Sequence, residues 1–146
     1  HHGFEGAKKY LRSLEENSAH DAVRIFAAHE VVIFDLPYYR VALRQFNATL
    51  KRKKRDLRVI FPDTPLAKQR GKPILKKYTP SLKQKYLPVD RIQNSIFSVS
   101  VNVSHIVFLK EKYLFVSIDS EMVAGLFKNA FDHVWNSLPA VSWRDL

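Results

Sequence analysis

Two short apolar runs with an amphipathic stretch between them limit the fold of this chain more than any other feature of its sequence. The first run, Val31–Phe34, is continuously apolar, which is typical of a strand buried on both faces. The second, Leu57–Phe61, is closed by Pro62 and also predicts a strand. Between them, helical spacing is kept by Tyr39, Ala42, Leu43, Phe46 and Leu50. A strand–helix–strand unit of this length predicts a parallel pair of strands, and therefore an α/β fold.

The rest of the chain adds helices before this unit and an antiparallel half after it. Helical periodicity runs from Phe4 to about Ala28, and Ser95–Ser104 alternates between apolar and polar residues as a strand does. Ile106–Leu109 and Tyr113–Ile118 predict two more strands joined by a hairpin through residues 110–112. The stretch from Met122 to Trp135 predicts an amphipathic helix, with Asp119 or Ser120 as its N-cap. We therefore expect a mixed sheet of about five strands with helices packed on it.

The expected domain organisation is simple. The first residues, His1-His2-Gly3, are typical of the end of a purification tag, and residues 4–146 are expected to form a single α/β domain. Within it, residues 62–91 are expected to be irregular, with at most one short helix near Leu82–Tyr86. The reason is that proline interrupts this segment four times, at Pro65, Pro73, Pro80 and Pro88.

One segment carries the whole charge imbalance of the chain, which is +10 at pH 7. Residues 51–91 hold fourteen Lys and Arg against three Asp, whereas the stretches before and after are close to neutral. A like-charge run this dense predicts contact with a polyanion or an anionic ligand, and Tyr78 and Tyr86 could stack on bases. The alternative is a solvated helix end followed by a mobile loop. The candidate contacts for an anion or nucleic acid are Arg52, Lys53, Arg55, Arg58, Lys76 and Lys77.

A second candidate site follows from the parallel strands. In open α/β sheets, ligands bind beyond the carboxyl ends of such strands. Those ends are expected to carry Asp35, Tyr38, Tyr39 and Asp63, which would line a crevice over which the basic loop could fold. The two tyrosines could equally anchor their helix in the core.

Several classes of site are disfavoured. There is no Cys, so neither a disulfide nor a thiolate site can form, and a reducing, cytoplasmic location is expected. The four glycines form neither a dinucleotide-binding motif nor a P-loop, and no cofactor is expected. No apolar run approaches the length of a membrane span. No metal site is expected either. The histidines outside the tag are not spaced in sequence as metal ligands on a helix would be, and we expect them at the surface or at helix ends. They are His20, His29, His105 and His133.

Four stretches in this order resemble the phospholipase-D-like sensor domains at the C-terminal end of some archaeal and bacterial transcriptional regulators, including the sugar-responsive TrmB family. They are Ala28–Pro37, the helix that follows to Lys54, the strand Leu57–Phe61 and the closing segment Phe127–Trp135. The resemblance covers about residues 30–137 and implies a sensor domain of a regulator. Active phospholipases D use H-x-K-x-x-x-x-D, in which His attacks phosphorus. Here Val107 stands two places after His105, so the resemblance implies a non-hydrolytic relative.

Two functions remain open at this point. The first is a non-catalytic ligand-sensing or regulatory domain, belonging to a transcriptional regulator, that recognises an anionic small molecule or a partner. The second is a nucleic-acid-binding module that uses the basic segment 51–91. Whether the chain forms a homodimer also stays open, because Trp143 could dock on a neighbouring subunit or fold back on its own core.

Overall fold

In the computed structural model, the described residues are 8–13, 21–27, 37–78, 82–88, 95–109 and 113–146. They form one mixed sheet of six strands with helices on both of its faces. The elements in chain order are the helical residues 8–13 (α1), β1 (Val23–Phe26), α2 (Pro37–Arg52), β2 (Leu57–Pro62), α3 (Pro65–Tyr78), β3 (Leu82–Leu87), β4 (Ser95–Ser100), β5 (Val103–Leu109), β6 (Tyr113–Asp119), α4 (Glu121–Ser137) and a short 3-10 helix, Trp143–Asp145.

The sheet joins a parallel half to an antiparallel half. Its strand order is β3-β2-β1-β4-β5-β6, in which β1, β2 and β3 run parallel and each later pair is antiparallel. The register places Val23 beside Leu57, and Leu57 beside Leu82, so the amino ends of the three parallel strands lie side by side. The predicted α/β class and mixed sheet are confirmed, with six strands rather than about five.

The first parallel strand lies where a helix was expected, so the helical prediction is wrong for Val23–Phe26. Val23 and Ile25 pack on one face of the sheet, whereas Arg24 and Phe26 meet α4 on the other. With both faces covered, apolar residues occur on both sides of the strand and imitate helical spacing. The predicted strand Val31–Phe34 lies outside the described residues. A parallel strand–helix–strand unit does occur, as β1–α2–β2, but its first strand is Val23–Phe26 rather than the predicted Val31–Phe34.

The segment expected to be irregular contains α3 and β3, and the short helix expected at Leu82–Tyr86 is instead a strand. Pro65 is the first residue of α3, a position that needs no backbone N–H donor. Pro73 lies inside the helix, where it does remove a donor, and yet the helix continues to Tyr78. Burial alternates along β3, which is the period of a strand. The prolines were therefore a poor guide to the local structure.

The antiparallel half follows the predicted pattern closely. The strand expected over Ser95–Ser104 is divided by a tight turn at Val101, whose φ is 49°, and its last residues begin β5. β5 and β6 pair as the predicted hairpin requires, although residues 110–112 lie outside the described ranges. Helix α4 is confirmed, and its N-cap is Ser120, whose Oγ accepts a hydrogen bond from the backbone N–H of Val123 at 3.2 Å.

The front face of the sheet is covered by α1, α2 and α3. The apolar core between them includes Leu11 of α1, Phe46 and Leu50 of α2, and Leu75 of α3. Helix α3 lies close to β3 at Gly71, where a Cβ atom would come within 2.5 Å of the Gln84 side chain. Gln84 Nε2 donates to the Gly71 carbonyl at 3.3 Å, so this contact needs glycine for space.

Among the described elements, α4 is the helix that covers the back face. Phe131 and Trp135 pack on Ile60, and Phe26 contacts the Phe131 ring edge-on at 5.0 Å between centroids. None of the helices in the described ranges is long and apolar enough to cross a bilayer.

Candidate nucleic-acid interface

Seven cationic side chains lie where α2 and α3 end. Because each helix leads into the amino end of the next strand, and β2 and β3 begin side by side, the two helix ends meet. Lys51 Nζ donates to the carbonyl oxygen of Lys77 at 2.7 Å, which joins them directly. We call this region the basic surface, and its members are Lys51, Arg52, Lys53, Lys54, Arg55, Lys76 and Lys77. All are exposed except the half-buried Arg55.

The turn after α2 holds the cations of the basic surface in a defined backbone conformation. The Arg55 N–H donates to the Leu50 carbonyl at 2.8 Å, and the Lys54 N–H donates to the Lys51 carbonyl at 3.1 Å. These two bonds form a Schellman motif, the helix end that usually has glycine at the position of Lys54. Lys54 adopts the left-handed conformation there, with φ of 54°. A lysine at this position costs about 1 kcal/mol relative to glycine.

Helix dipoles explain only part of this clustering. The carboxyl end of a helix carries about half a negative charge, which favours Lys51 and Arg52 in the last turn of α2, and Lys76 and Lys77 in that of α3. The two helix ends together offset about one positive charge of the seven. The turn residues 53–55 lie beyond the end of α2 and add three further cations. The basic surface therefore keeps a strong positive potential.

The helices that end in the basic surface supply no acidic side chain to offset its charge. Neither α2 nor α3 contains Asp or Glu. Asp56 follows the surface in sequence, but its carboxylate accepts a hydrogen bond from Arg58 Nε at 3.0 Å and pairs with Lys83 at 3.4 Å. In the described part of the chain, no ion pair joins Arg52, Lys54 or Lys77 to an acid.

The structure brings together five of the six residues predicted to contact an anion. Arg52, Lys53, Arg55, Lys76 and Lys77 all belong to the basic surface. Arg58 does not: it lies on the back face beside Trp135, with its guanidinium carbon 6.0 Å from the indole ring centre. Its role as an anion contact stays a prediction, and so do those of the other five.

The predicted crevice lies at the opposite end of the parallel strands. Asp63 follows β2 at its carboxyl end, and its carboxylate pairs with Lys68 at 2.9 Å. Tyr38 and Tyr39 belong to the first turn of α2, about 20 Å along the helix from its last residue. Asp35 lies outside the described residues. The loop expected to fold over this crevice is not present, because residues 65–78 are α3 and residues 82–87 are β3; Lys68 of α3 is the residue of the basic segment that pairs with Asp63.

The C-terminal tail folds back on its own chain, which answers the question left open for Trp143. The Trp143 ring packs beside α3, and Val141 and Leu146 pack against the front core. Lys76 Nζ lies 4.8 Å from the centre of the Trp143 ring, so the tail adjoins the basic surface. Between the tail and the start of β3 lies a groove of about 380 Å³. Sequence periodicity could not find this contact, because a single aromatic residue in a short tail has no period.

A small cavity, partly open to solvent, lies on the front face between the sheet and helices α1 to α3. Its volume is about 50 Å³ and its lining is mostly apolar, with Phe46 and Asn47 contributed by α2 and Ile74 by α3. Asn47 is only 5% exposed, and its side-chain oxygen has no hydrogen-bond partner among the described residues. A buried acceptor of this kind fits a small ligand that offers one donor.

His105 is not a surface residue as expected, but is 3% exposed on the front face. Hydrogen bonds join its Nε2 to Ser13 Oγ at 3.2 Å and its Nδ1 to Ser117 Oγ at 2.9 Å, and Tyr10 packs against it edge-on. Burial lowers the pKa of His105 to about 4. Within the described ranges, no three His, Asp or Glu side chains meet as metal ligands would.

Comparison with known proteins gives a likeness of structure rather than of sequence. No protein-family profile matches the sequence, and no curated protein matches it either. The fold is similar to that of TrmBL2, an archaeal chromatin protein whose structure shows a novel mode of DNA binding, with a TM-score of 0.56 at 13% sequence identity. The match covers 91% of this chain and 47% of that chain, so this chain spans about half the length of TrmBL2.

At this identity the likeness shows the fold alone. It supports the resemblance to TrmB-type regulators at that level, whereas the role of a phospholipase-D-like sensor domain stays a prediction.

Proposed function

We propose that this domain is a non-catalytic regulatory module that contacts the phosphates of nucleic acid through its basic surface. The observation that carries the proposal is the meeting of the two helix ends, which places seven cations together at the ends of two helices that contain no Asp or Glu. Lys and Arg bind phosphates by charge and hydrogen bonding, and each neutralised phosphate releases counterions. A surface of this kind contacts the backbone of nucleic acid without reading its sequence.

The conformation of Lys54 also supports the proposal. Glycine would fit the left-handed position better, so local stability does not explain a lysine there. A departure from local preference is expected at functional sites, where charge matters more than stability.

The likeness to TrmBL2 gives independent support. TrmBL2 is described as a chromatin protein that binds DNA, and this chain shares its fold over 91% of the present sequence. A regulatory, DNA-associated role is therefore consistent with the fold. The contact residues proposed here come from the charges of this chain alone.

The proposal is tested by fluorescence anisotropy with a labelled duplex of about 20 base pairs, titrated at several salt concentrations between about 50 and 200 mM. We expect the double variant Arg52→Ala/Lys77→Ala to weaken binding at every salt concentration. We also expect it to reduce the slope of log K against log salt by about 2, because each lost phosphate contact removes about 0.9.

The matched control is Arg44→Ala. Arg44 is an exposed arginine of the same helix, about 12 Å along the axis from Arg52 and away from the helix end. Its removal should leave the salt slope within about 0.3 of the wild-type value. Equal loss of affinity in the control and in the double variant would contradict a localised interface. Absence of duplex binding at low salt would contradict the proposal as a whole.

Ligand sensing is the second candidate, and the buried oxygen of Asn47 favours it. The cavity lies under α2 and α3, so a ligand in it would contact the helices that end in the basic surface. The lining is mostly apolar, which favours a small apolar molecule with one hydrogen-bond donor over the anion first expected. A thermal-shift series with small alcohols and phenols should raise Tm in the wild type and not in Asn47→Leu. Equal shifts in both proteins would contradict this candidate.

A further inference from the structure

The groove beside the C-terminal tail combines an apolar floor, an aromatic wall and a cationic rim. Leu75 and Leu82, both buried, form part of its floor, and Trp143 contributes an indole wall. Arg144 lines the same groove and is exposed to solvent; Lys83 also lines it, but its ammonium pairs with Asp56 at 3.4 Å. At about 380 Å³ it lies within the size range of small-molecule sites.

The tail that forms this groove has an ordered conformation. Ser142 and Asp145 form a capping box: the Ser142 N–H donates to Asp145 Oδ2 at 2.8 Å, and the Arg144 N–H donates to Ser142 Oγ at 3.3 Å. Val141 and Leu146 pack against the front core on either side of Trp143. The indole is therefore held in place before any ligand binds, which reduces the entropy lost on binding.

The charges around the indole select the kind of ligand. The Arg144 guanidinium carbon lies 5.1 Å from the centre of the Trp143 ring, and Lys76 Nζ lies 4.8 Å from it. Cations at this distance are attracted by the aromatic face. A flat aromatic group that carries a negative charge would satisfy both the indole and the cations. A nucleobase attached to a phosphate is a group of this kind.

We infer that the groove holds one unpaired base of a single-stranded nucleic acid, stacked against Trp143, while the neighbouring phosphates contact the basic surface. This inference rests on the function proposed above. Lys76 connects the two sites, because it belongs to the basic surface and also lies against Trp143. Stacking of one base on an aromatic side chain changes affinity by about tenfold. Paired bases in a duplex are not available for this contact.

The test compares a labelled oligothymidine with a duplex of the same length, using anisotropy at one fixed salt concentration. Trp143→Leu keeps an apolar side chain for the tail and removes the stacking ring. We expect it to weaken single-strand binding about tenfold and to leave duplex binding within about twofold. Trp143→Phe, which keeps an aromatic ring, should weaken single-strand binding by no more than about threefold.

Failure of this inference can be distinguished from failure of the proposed function. If Trp143→Leu binds both probes as the wild type does, while Arg52→Ala/Lys77→Ala weakens both, the base-stacking site is overturned and the basic surface stands. If the wild type binds neither probe, both proposals are overturned.

A second measurement needs no variant. The chain has two tryptophans, and Trp135 is buried between α4, to which it belongs, and the sheet. Saturation of the wild type with oligothymidine should quench the part of the tryptophan emission that comes from Trp143. Unchanged emission at saturation would overturn the stacking site.

Discussion

Two charged regions of this molecule differ in how their charges are balanced. On the back face, Arg24 donates from Nε and Nη2 to Asp132 at 2.8 and 3.1 Å, and from Nη1 to Asp21 at 3.1 Å. Lys128 completes the group with a contact of 2.7 Å to Asp21. Two cations there meet two carboxylates under α4, whereas seven cations of the basic surface lie at the ends of two helices that contain no Asp or Glu. The first arrangement serves stability, and the second is available to an external anion.

Asp21 is ionised, as a carboxylate paired with two cations should be. Partial burial opposes its ionisation, but hydrogen bonds from Lys128 and Arg24 outweigh burial and hold the pKa of Asp21 below its ordinary value. The carboxylate therefore stays charged and paired at neutral pH. The group is internally neutral, so it offers little attraction to nucleic acid.

The largest change in stability is expected when the charge-balanced group on the back face is broken. This group consists of Arg24, Lys128, Asp21 and Asp132. Arg24→Ala leaves Asp21 and Asp132 without their shared partner, and we expect the free energy of unfolding to fall by about 3 kcal/mol. Urea denaturation followed by circular dichroism measures the change. Arg44→Ala, at an exposed position, should change stability by no more than about 0.5 kcal/mol. A loss below about 1 kcal/mol in Arg24→Ala would show that the group does not hold α4 on the sheet.

The next largest change in stability is expected from His105, a buried base. Its contribution to stability depends on pH rather than on salt concentration. The folded state keeps His105 neutral with a pKa of about 4, whereas the unfolded chain binds the proton near the ordinary pKa of 6.5. Stability is therefore greatest above about pH 6.5 and falls as the pH drops toward 4. We expect His105 to account for about 2 kcal/mol of the loss between pH 7.5 and 4.5.

His105→Gln measures that share, because it removes the titrating group and leaves the other acids and bases in place. Urea midpoints at the two pH values should lie closer together in the variant than in the wild type. An equal pH dependence in both proteins would mean that burial does not keep this imidazole neutral.

A smaller loss of stability is expected when the N-cap of α4 is removed. Ser120→Ala removes the side-chain acceptor for the Val123 N–H, and we expect it to destabilise the fold by about 1 kcal/mol. Duplex binding should not change, since α4 belongs to the back face. A change in affinity at constant salt would place part of the interface on α4 and weaken the contrast between the two regions.

The smallest change in stability is expected from Lys54→Gly. This variant distinguishes the two regions most clearly, because stability should rise while affinity for nucleic acid falls. Lys54→Gly relieves the left-handed backbone and should stabilise the fold by about 0.5 to 1 kcal/mol. It also removes one cation from the basic surface, so the salt slope of duplex binding should fall by up to about 0.9. A variant that is more stable and binds as tightly as the wild type would show that Lys54 makes no phosphate contact.

The sequence predicted best those elements whose residue types repeat with a clear period. Helix α4 repeats apolar residues at helical spacing, and the strands around Ser95 and Tyr113 are rich in apolar residues between turns; all three elements begin where they were predicted. β1 was missed because α4 covers one of its faces and the other helices cover the opposite one, which removes the period-2 pattern. α3 was missed because its prolines were interpreted as breaks.

The candidate site was predictable only in part, for a topological reason. Lys53 and Arg55 are neighbours in sequence, so their clustering needed no structure. Lys76 and Lys77 join them because β2 and β3 are parallel neighbours, and β3 was not predicted. Trp143 reaches the surface through a tail contact that no local pattern encodes.

Mapping of amide chemical shifts in ¹H–¹⁵N spectra, with increasing amounts of a short duplex, would test the basic surface most directly. We expect the largest shifts in residues 51–55 and 76–78, with little change around Arg24 and Asp132 on the back face. Shifts centred on residues 62–68, at the carboxyl ends of the parallel strands, would contradict the basic surface and move the interface to the predicted crevice.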